Sequence, residues 1–194
     1  MELKDNIDFG KEPIGRLFRK MFVPTLLGML FMVIFTFTDG IFVGHGLGSD
    51  ALAAINLVAP LMLVSTGIGL MFGLGASVTA SIHLARKNIK TARINVSQAT
   101  ITSVAILTII SIIILIFPEP TLRLLGCPDS LMDECKEYAY GFVPFLAINS
   151  LLCSGEFFIR LSGAPKYAMI CSLVASVINI ILDYLFIFVF KNLF

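Results

Sequence analysis

Charged side chains are scarce in this 194-residue chain, at 14% against about 25% in ordinary soluble domains, while hydrophobic ones reach 57% against about 45–50%. That ratio leaves too little polar surface for a water-soluble fold and points to a membrane protein. Histidine and cysteine are fewer still, two and four residues. His45 and His83 are far apart and have no ligand-spaced His or Cys partner, so they read as interfacial residues and no metal site is expected. No nucleophile–base pair or phosphate loop stands at usable spacing, so neither an enzyme nor a resident cofactor is expected. The formal net charge of +1 carries no nucleic-acid footprint.

What fills the chain instead is long apolar runs, each sufficient to cross a hydrocarbon core of about 30 Å at 1.5 Å per residue. Short alternating segments, the mark of a β-barrel, are missing, and runs such as TITSVAILTIISIIILIF are nearly free of charge. The expected fold is all-α, a polytopic bundle with five spans near 22–43, 55–85, 94–117, 138–161 and 168–190. Ahead of it, residues 1–21 form a cytosolic amphipathic segment with Ile14, Leu17, Phe18 and Met21 at helical spacing and Arg16, Arg19 and Lys20 elsewhere on the wheel. This segment is too long and too charged for a cleaved signal peptide, and no small-residue cleavage pattern follows the first span.

Lys and Arg gather on the cytosolic side of short loops. Lys4, Lys11, Arg16, Arg19, Lys20, Arg86, Lys87, Lys90, Arg93, Arg160 and Lys166 fall on one side of the five spans, and only Arg123, Lys136 and Lys191 on the other. The N-terminus is therefore expected in the cytosol, the acidic loop PEPTLRLLGCPDSLMDECKEY outside, and the end of this chain outside, in a plasma membrane whose anionic lipids suit the basic loops.

Three smaller features carry alternatives. Gly69 and Gly73 make a G-x-x-x-G in the second span, which suits close helix contact, with flexibility for a moving gate as the other reading. Cys153 and Cys171 sit in spans as small hydrophobes, while Cys127 and Cys135 share the external loop, where a disulfide is open to them. The amphipathic start suits anchoring at a lipid surface more than substrate handling.

Polarity inside the spans is the informative part. Each ionised acid at a helix centre costs roughly 2.5–3.5 kcal/mol on insertion scales, so Asp39, Glu156 and Asp183 need a reason. Counting rise per residue from the cytosolic end puts Asp39 about 25 Å up span one and Asp183 about 22 Å up span five, a shared depth in the outer half. Ser172, Ser176, Asn179 and Asp183 recur along one face of span five. Asn149 in span four lies about 18 Å from the inner end, close to Asn179 at about 17 Å, and reads as a further wall of one cavity. Glu156 lies only about 7 Å from that end and precedes Arg160 by four residues, the favourable order for a helical ion pair, with a role as inner cation or proton ligand as the lesser reading. Two carboxylates sharing a desolvated site favour holding a proton between them, which a cation can replace.

The order VPTLLGMLFMVIFTFTDGIFVGHGLGSDALAAINLVAPL, a Gly-rich second helix, FIRLSGAPKYAM before span five and NIILDYLFIF within it resembles the multidrug and toxic compound extrusion family over nearly the whole chain. The resemblance implies an antiporter of two six-helix lobes that exports small cationic or amphipathic compounds in exchange for H+ or Na+. It matches Asp39 to the acid of the family's first helix, and Asn179 and Asp183 to the asparagine and aspartate of its fifth, which line the N-lobe cavity and couple the ion. Na+ is expected, if anywhere, at these three residues. Glu156 falls near a position where some members carry a fourth-helix asparagine. Family members are about twice as long, so the expected object is an incomplete N-lobe whose partners are the lipid bilayer and the missing C-terminal helices of the same transporter. Two readings stand beside it: a related lipid or polysaccharide-precursor flippase, which calls for central Arg or Lys that the spans lack, and a truncated fragment that does not transport.

Overall fold

The computed structural model describes residues 13–46 and 48–189, so residues 1–12 of the expected N-terminal segment and the C-terminal end with Lys191 lie outside the described residues. The described part is helical: α1 (Ile14–Gly46), α2 (Ser49–Ala85), α3 (Ile89–Ile116), α4 (Pro118–Leu124), α5 (Met132–Phe142), α6 (Leu146–Leu161) and α7 (Pro165–Tyr184). A π-helical stretch, Leu185–Val189, continues α7. Five segments are long and apolar enough to cross a membrane: α1, α2, α3, the stretch Asp129–Leu161 and Pro165–Ile187.

Local chemistry explains where the element bounds differ from the expected spans. Residues 14–21 form the first two turns of α1, and nothing between Ile14 and Pro24 interrupts the helix. The expected external loop is largely helical. Pro118 starts α4, where a missing N–H costs nothing, and Gly126 at φ +89° follows its end in the left-handed conformation that glycine adopts freely. After Pro128 a 3-10 turn, Asp129–Leu131, leads into α5, and a second at Val143–Phe145 separates α5 from α6 where Pro144 withholds its N–H.

Contacts divide the chain into two compact units, 1–52 with 159–194, and 53–158. In the first, α1 and α7 pack side by side. Gly28 lies against the Met169 backbone and the Phe42 ring against that of Tyr184 at 6.5 Å, so the contact pairs advance together along both helices and the two run parallel.

The second unit is built inside out relative to a soluble domain. Phe145, Leu63, Ile101 and Leu152 are exposed, the last three by about 70%, while Ser65, Ser103 and Ser150 are fully buried. That is the arrangement a lipid solvent permits, since apolar surface costs nothing there and small hydroxyl side chains let helices pack closely. Ser65 donates to the Leu146 carbonyl at 2.7 Å and Ser111 to the Val143 carbonyl at 3.0 Å, tying α2 and α3 to the α5–α6 junction. Below Ser65 on α2, Gly69 and Gly73 face Ser150 and Ser154 of α6 so closely that a Cβ at Gly73 would stand 2.7 Å from the Ser154 Cα. Gly67 and Gly75 have open space at the same test, so the second span's glycines are not equivalent. An apolar cluster with Val58, Leu61, Leu107, Leu122, Cys135 and Val143 fills the other end of this unit.

Candidate functional site

Parallel packing of α1 and α7 decides which polar side chains meet. With Gly28 beside Met169 and Phe42 beside Tyr184, Asp39 is carried to the level of Asp183, and the two carboxylates are near enough for their charges to interact. Both are half-buried, on helices whose other side chains at this level, Phe37, Ile41, Ile181 and Leu182, are exposed to the surroundings. On α7 the stripe Ser172, Ser176, Asn179 and Asp183 is half-buried throughout, while Val174, Val177 and Ile178 between its members are exposed. The stripe therefore lies on the side of α7 turned away from lipid.

Hydrogen bonding separates the members of this stripe. Ser176 donates to the Ser172 carbonyl at 2.9 Å and is satisfied within its own helix, without reaching across to a neighbour. Thr36 and Thr38 on α1 do the same, donating to the Met32 and Ile34 carbonyls at 2.9 Å each, so neither competes for Asp39. Among the described residues, Asn179 Oδ1 and Asp183 Oδ2 are buried oxygens with no hydrogen-bond donor. Two acceptors of this kind one turn apart, with a second carboxylate beside them, suit a proton or a hard cation that takes oxygen ligands. The chain turns from α to π geometry directly after Tyr184, where the backbone ladder is loosened next to this acid.

Asn149 and Glu156 belong to the second unit. Asn149 donates through Nδ2 to Ser65 Oγ and Thr66 Oγ1, each at 3.2 Å, so its amide nitrogen is committed to α2. Sequence reasoning missed Ser65 and Thr66 as partners; the signal was the four-residue spacing of Ser65, Gly69 and Gly73, which repeats on α6 as Leu146, Ser150 and Ser154. Glu156 is half-buried on α6. No group of three or more His, Cys, Asp and Glu able to hold a metal is found among the described residues.

Five apolar helices and a lipid-type inversion of burial, with two carboxylates at one level on parallel helices, define a polytopic helical membrane protein. The MatE family profile matches residues 24–185, and the chain belongs to that family. It is 30% identical over 189 residues to an FAD transporter of Shewanella oneidensis, covering 96% of this chain and 41% of that protein. It is 28% identical over 185 residues to the multidrug export protein MepA of Staphylococcus aureus, covering 94% of this chain and 40% of that protein. The chain thus spans about two-fifths of the length of these relatives. Among solved structures, a crystal structure of MATE in the bent conformation superposes with a TM-score of 0.68 at 23% identity, over 87% of this chain and 38% of that one. A MATE crystal structure in the straight conformation gives 0.62 at 26% identity, over 87% of this chain and 37% of that one. The fold is that of a partial MATE N-lobe.

Proposed function

We propose that this chain is the N-terminal portion of a secondary active antiporter that exports cationic or amphipathic compounds in exchange for H+ or Na+, coupled through Asp39, Asn179 and Asp183. The observation that carries this reading is the meeting of Asp39 with Asp183 beside the donor-free Asn179 and Asp183 oxygens. Two neighbouring carboxylates repel when both are charged, and a proton or a sodium ion removes that repulsion. Binding the ion therefore changes how α1 and α7 interact, which is the elementary requirement for coupling. Ser172 and Ser176 are cavity-lining groups in this reading. The basic side chains Arg16, Arg19 and Lys20 at the start of α1 face the cytosol and its anionic lipids.

The similarity to an FAD transporter favours a second cargo, an anionic flavin nucleotide, although the spans themselves carry no central Arg or Lys to hold phosphate. One assay decides between them. In a transporter carrying this chain as its N-terminal part, gradient-driven efflux of a lipophilic cationic dye is expected, and flavin nucleotide should not compete with it. Asp39→Asn and Asp183→Asn should each abolish the efflux with expression intact, because an amide cannot exchange a proton for a cation. Normal efflux in both variants would sink the coupling assignment, and flavin export without dye export would replace the cargo.

A further inference from the structure

Where the α4–α5 connection turns back on itself, two thiols are held together that the transport reading does not use. Cys127 follows Gly126, whose φ of +89° lets the chain reverse directly after the end of α4, and Cys135 lies one turn into α5. Both are free thiols, 7% and 0% exposed, and both sit in one apolar cluster with Leu122, Met132 and Ala139. The Cys127 Sγ donates to the Pro128 carbonyl oxygen at 3.6 Å, and the two thiols are near enough for their charges to interact. The turn between them is fixed from both flanks. Arg123 of α4 pairs with Asp129 of the 3-10 turn at 2.8 Å, and Lys136 of α5 pairs with Glu119 of α4.

We propose that Cys127 and Cys135 form a redox modification site, a dithiol that a low-molecular-weight disulfide oxidises to an intramolecular disulfide closing the α4–α5 turn. Cys127 attacks the oxidant as its thiolate, forming a mixed disulfide and expelling one oxidant thiol. The Cys135 sulfur then attacks the Cys127 sulfur, forming the Sγ–Sγ bond and expelling the second oxidant thiol. The protein loses two hydrogens and is oxidised, and one oxidant disulfide becomes two thiols. The second step is intramolecular, because both sulfurs are already buried in one cluster across a tight turn. Cys153 and Cys171 lie on the separate helices α6 and α7, and neither is part of this cluster.

The test uses the full chain in detergent with Cys153→Ser and Cys171→Ser, equilibrated with oxidised glutathione, and a parallel sample in SDS that proves the oxidant competent. Trypsin cleaves after Arg123 and Lys136, so one peptide, 124–136, carries both sulfurs. The native sample should yield that peptide lighter by two hydrogens and closed to maleimide, with a higher Tm than the reduced chain. Adding Cys127→Ser should leave Cys135 alkylatable and remove the Tm difference. Two alkylatable cysteines in the native chain alongside a bridged SDS sample would overturn the proposal. So would glutathione on each cysteine separately without an internal bridge.

Discussion

At the scale of single residues, the two glycine pairs of α2 make opposite demands although all four look alike in the sequence. A methyl group at Gly73 meets the Ser154 Cα at 2.7 Å and its Cβ at 2.9 Å, and backbone cannot give way as a flexible side-chain tip can. Gly73→Ala should therefore separate α2 from α6 at a cost of about 1–3 kcal/mol, the usual range for overpacking. Gly75→Ala meets nothing within 4 Å and should raise stability by up to about 1 kcal/mol through helix propensity. SDS or thermal unfolding of the purified chain in detergent measures both, and equal effects would mean that the close approach of α2 and α6 is absent. The presence of a G-x-x-x-G was legible in the sequence, and the structure gives Gly69 and Gly73 the packing role. Which serines faced them was not legible, because a four-residue period names a helix face but not the helix opposite.

Among elements, the pairing of Asp39 with Asp183 followed from depth alone, since two spans that run in the same direction place equal rises at equal levels. What depth could not supply was adjacency, and that came from packing: Gly28 lies beside Met169, and Phe42 packs on Tyr184. The α4–α5 hairpin was read as a loop for the opposite reason. Its prolines and acidic residues resemble turn chemistry, yet Pro118 and Pro128 stand where helical turns begin and Gly126 where one ends. Lys136 from α5 donates to the Glu119 carboxylate on α4, and that hydrogen bond is the main reason the Glu119 pKa lies under its ordinary 4.5, with Arg123 adding to the same direction. A carboxylate depressed in the folded chain contributes stability above its unfolded pKa and loses it as pH falls through the folded one. An NMR titration of Glu119 in micelles should thus find a midpoint under 4.5, and Lys136→Met should move it upward. A midpoint at or above 4.5 in the unsubstituted chain would show that α4 and α5 are not clasped in solution.

For the molecule as a whole, the charge distribution makes a claim that packing cannot, namely which end of each span faces the cytosol. Helices and their contacts are unchanged if the bundle is inverted in the bilayer, whereas eleven of the fourteen Lys and Arg residues lie on one side of the five spans. Translocating those loops costs more than translocating the acidic α4–α5 segment, so the N-terminus, the α2–α3 turn with Arg86, Lys87 and Lys90, and Lys166 should remain inside. The same orientation sets the chemistry of the candidate site. Asp39 and Asp183 lie toward the C-terminal ends of α1 and α7, so with the N-terminus inside they would face the outer half, and the coupling ion proposed above would reach them from the external solution. In a chain stripped of its four cysteines, a cysteine placed at Ser130 should react with a membrane-impermeant maleimide on intact cells. One placed at Lys90 should react only after the membrane is opened. The reverse pattern would invert the topology and direct the coupling ion to the pair from the cytosol, while leaving the meeting of Asp39 and Asp183 untouched.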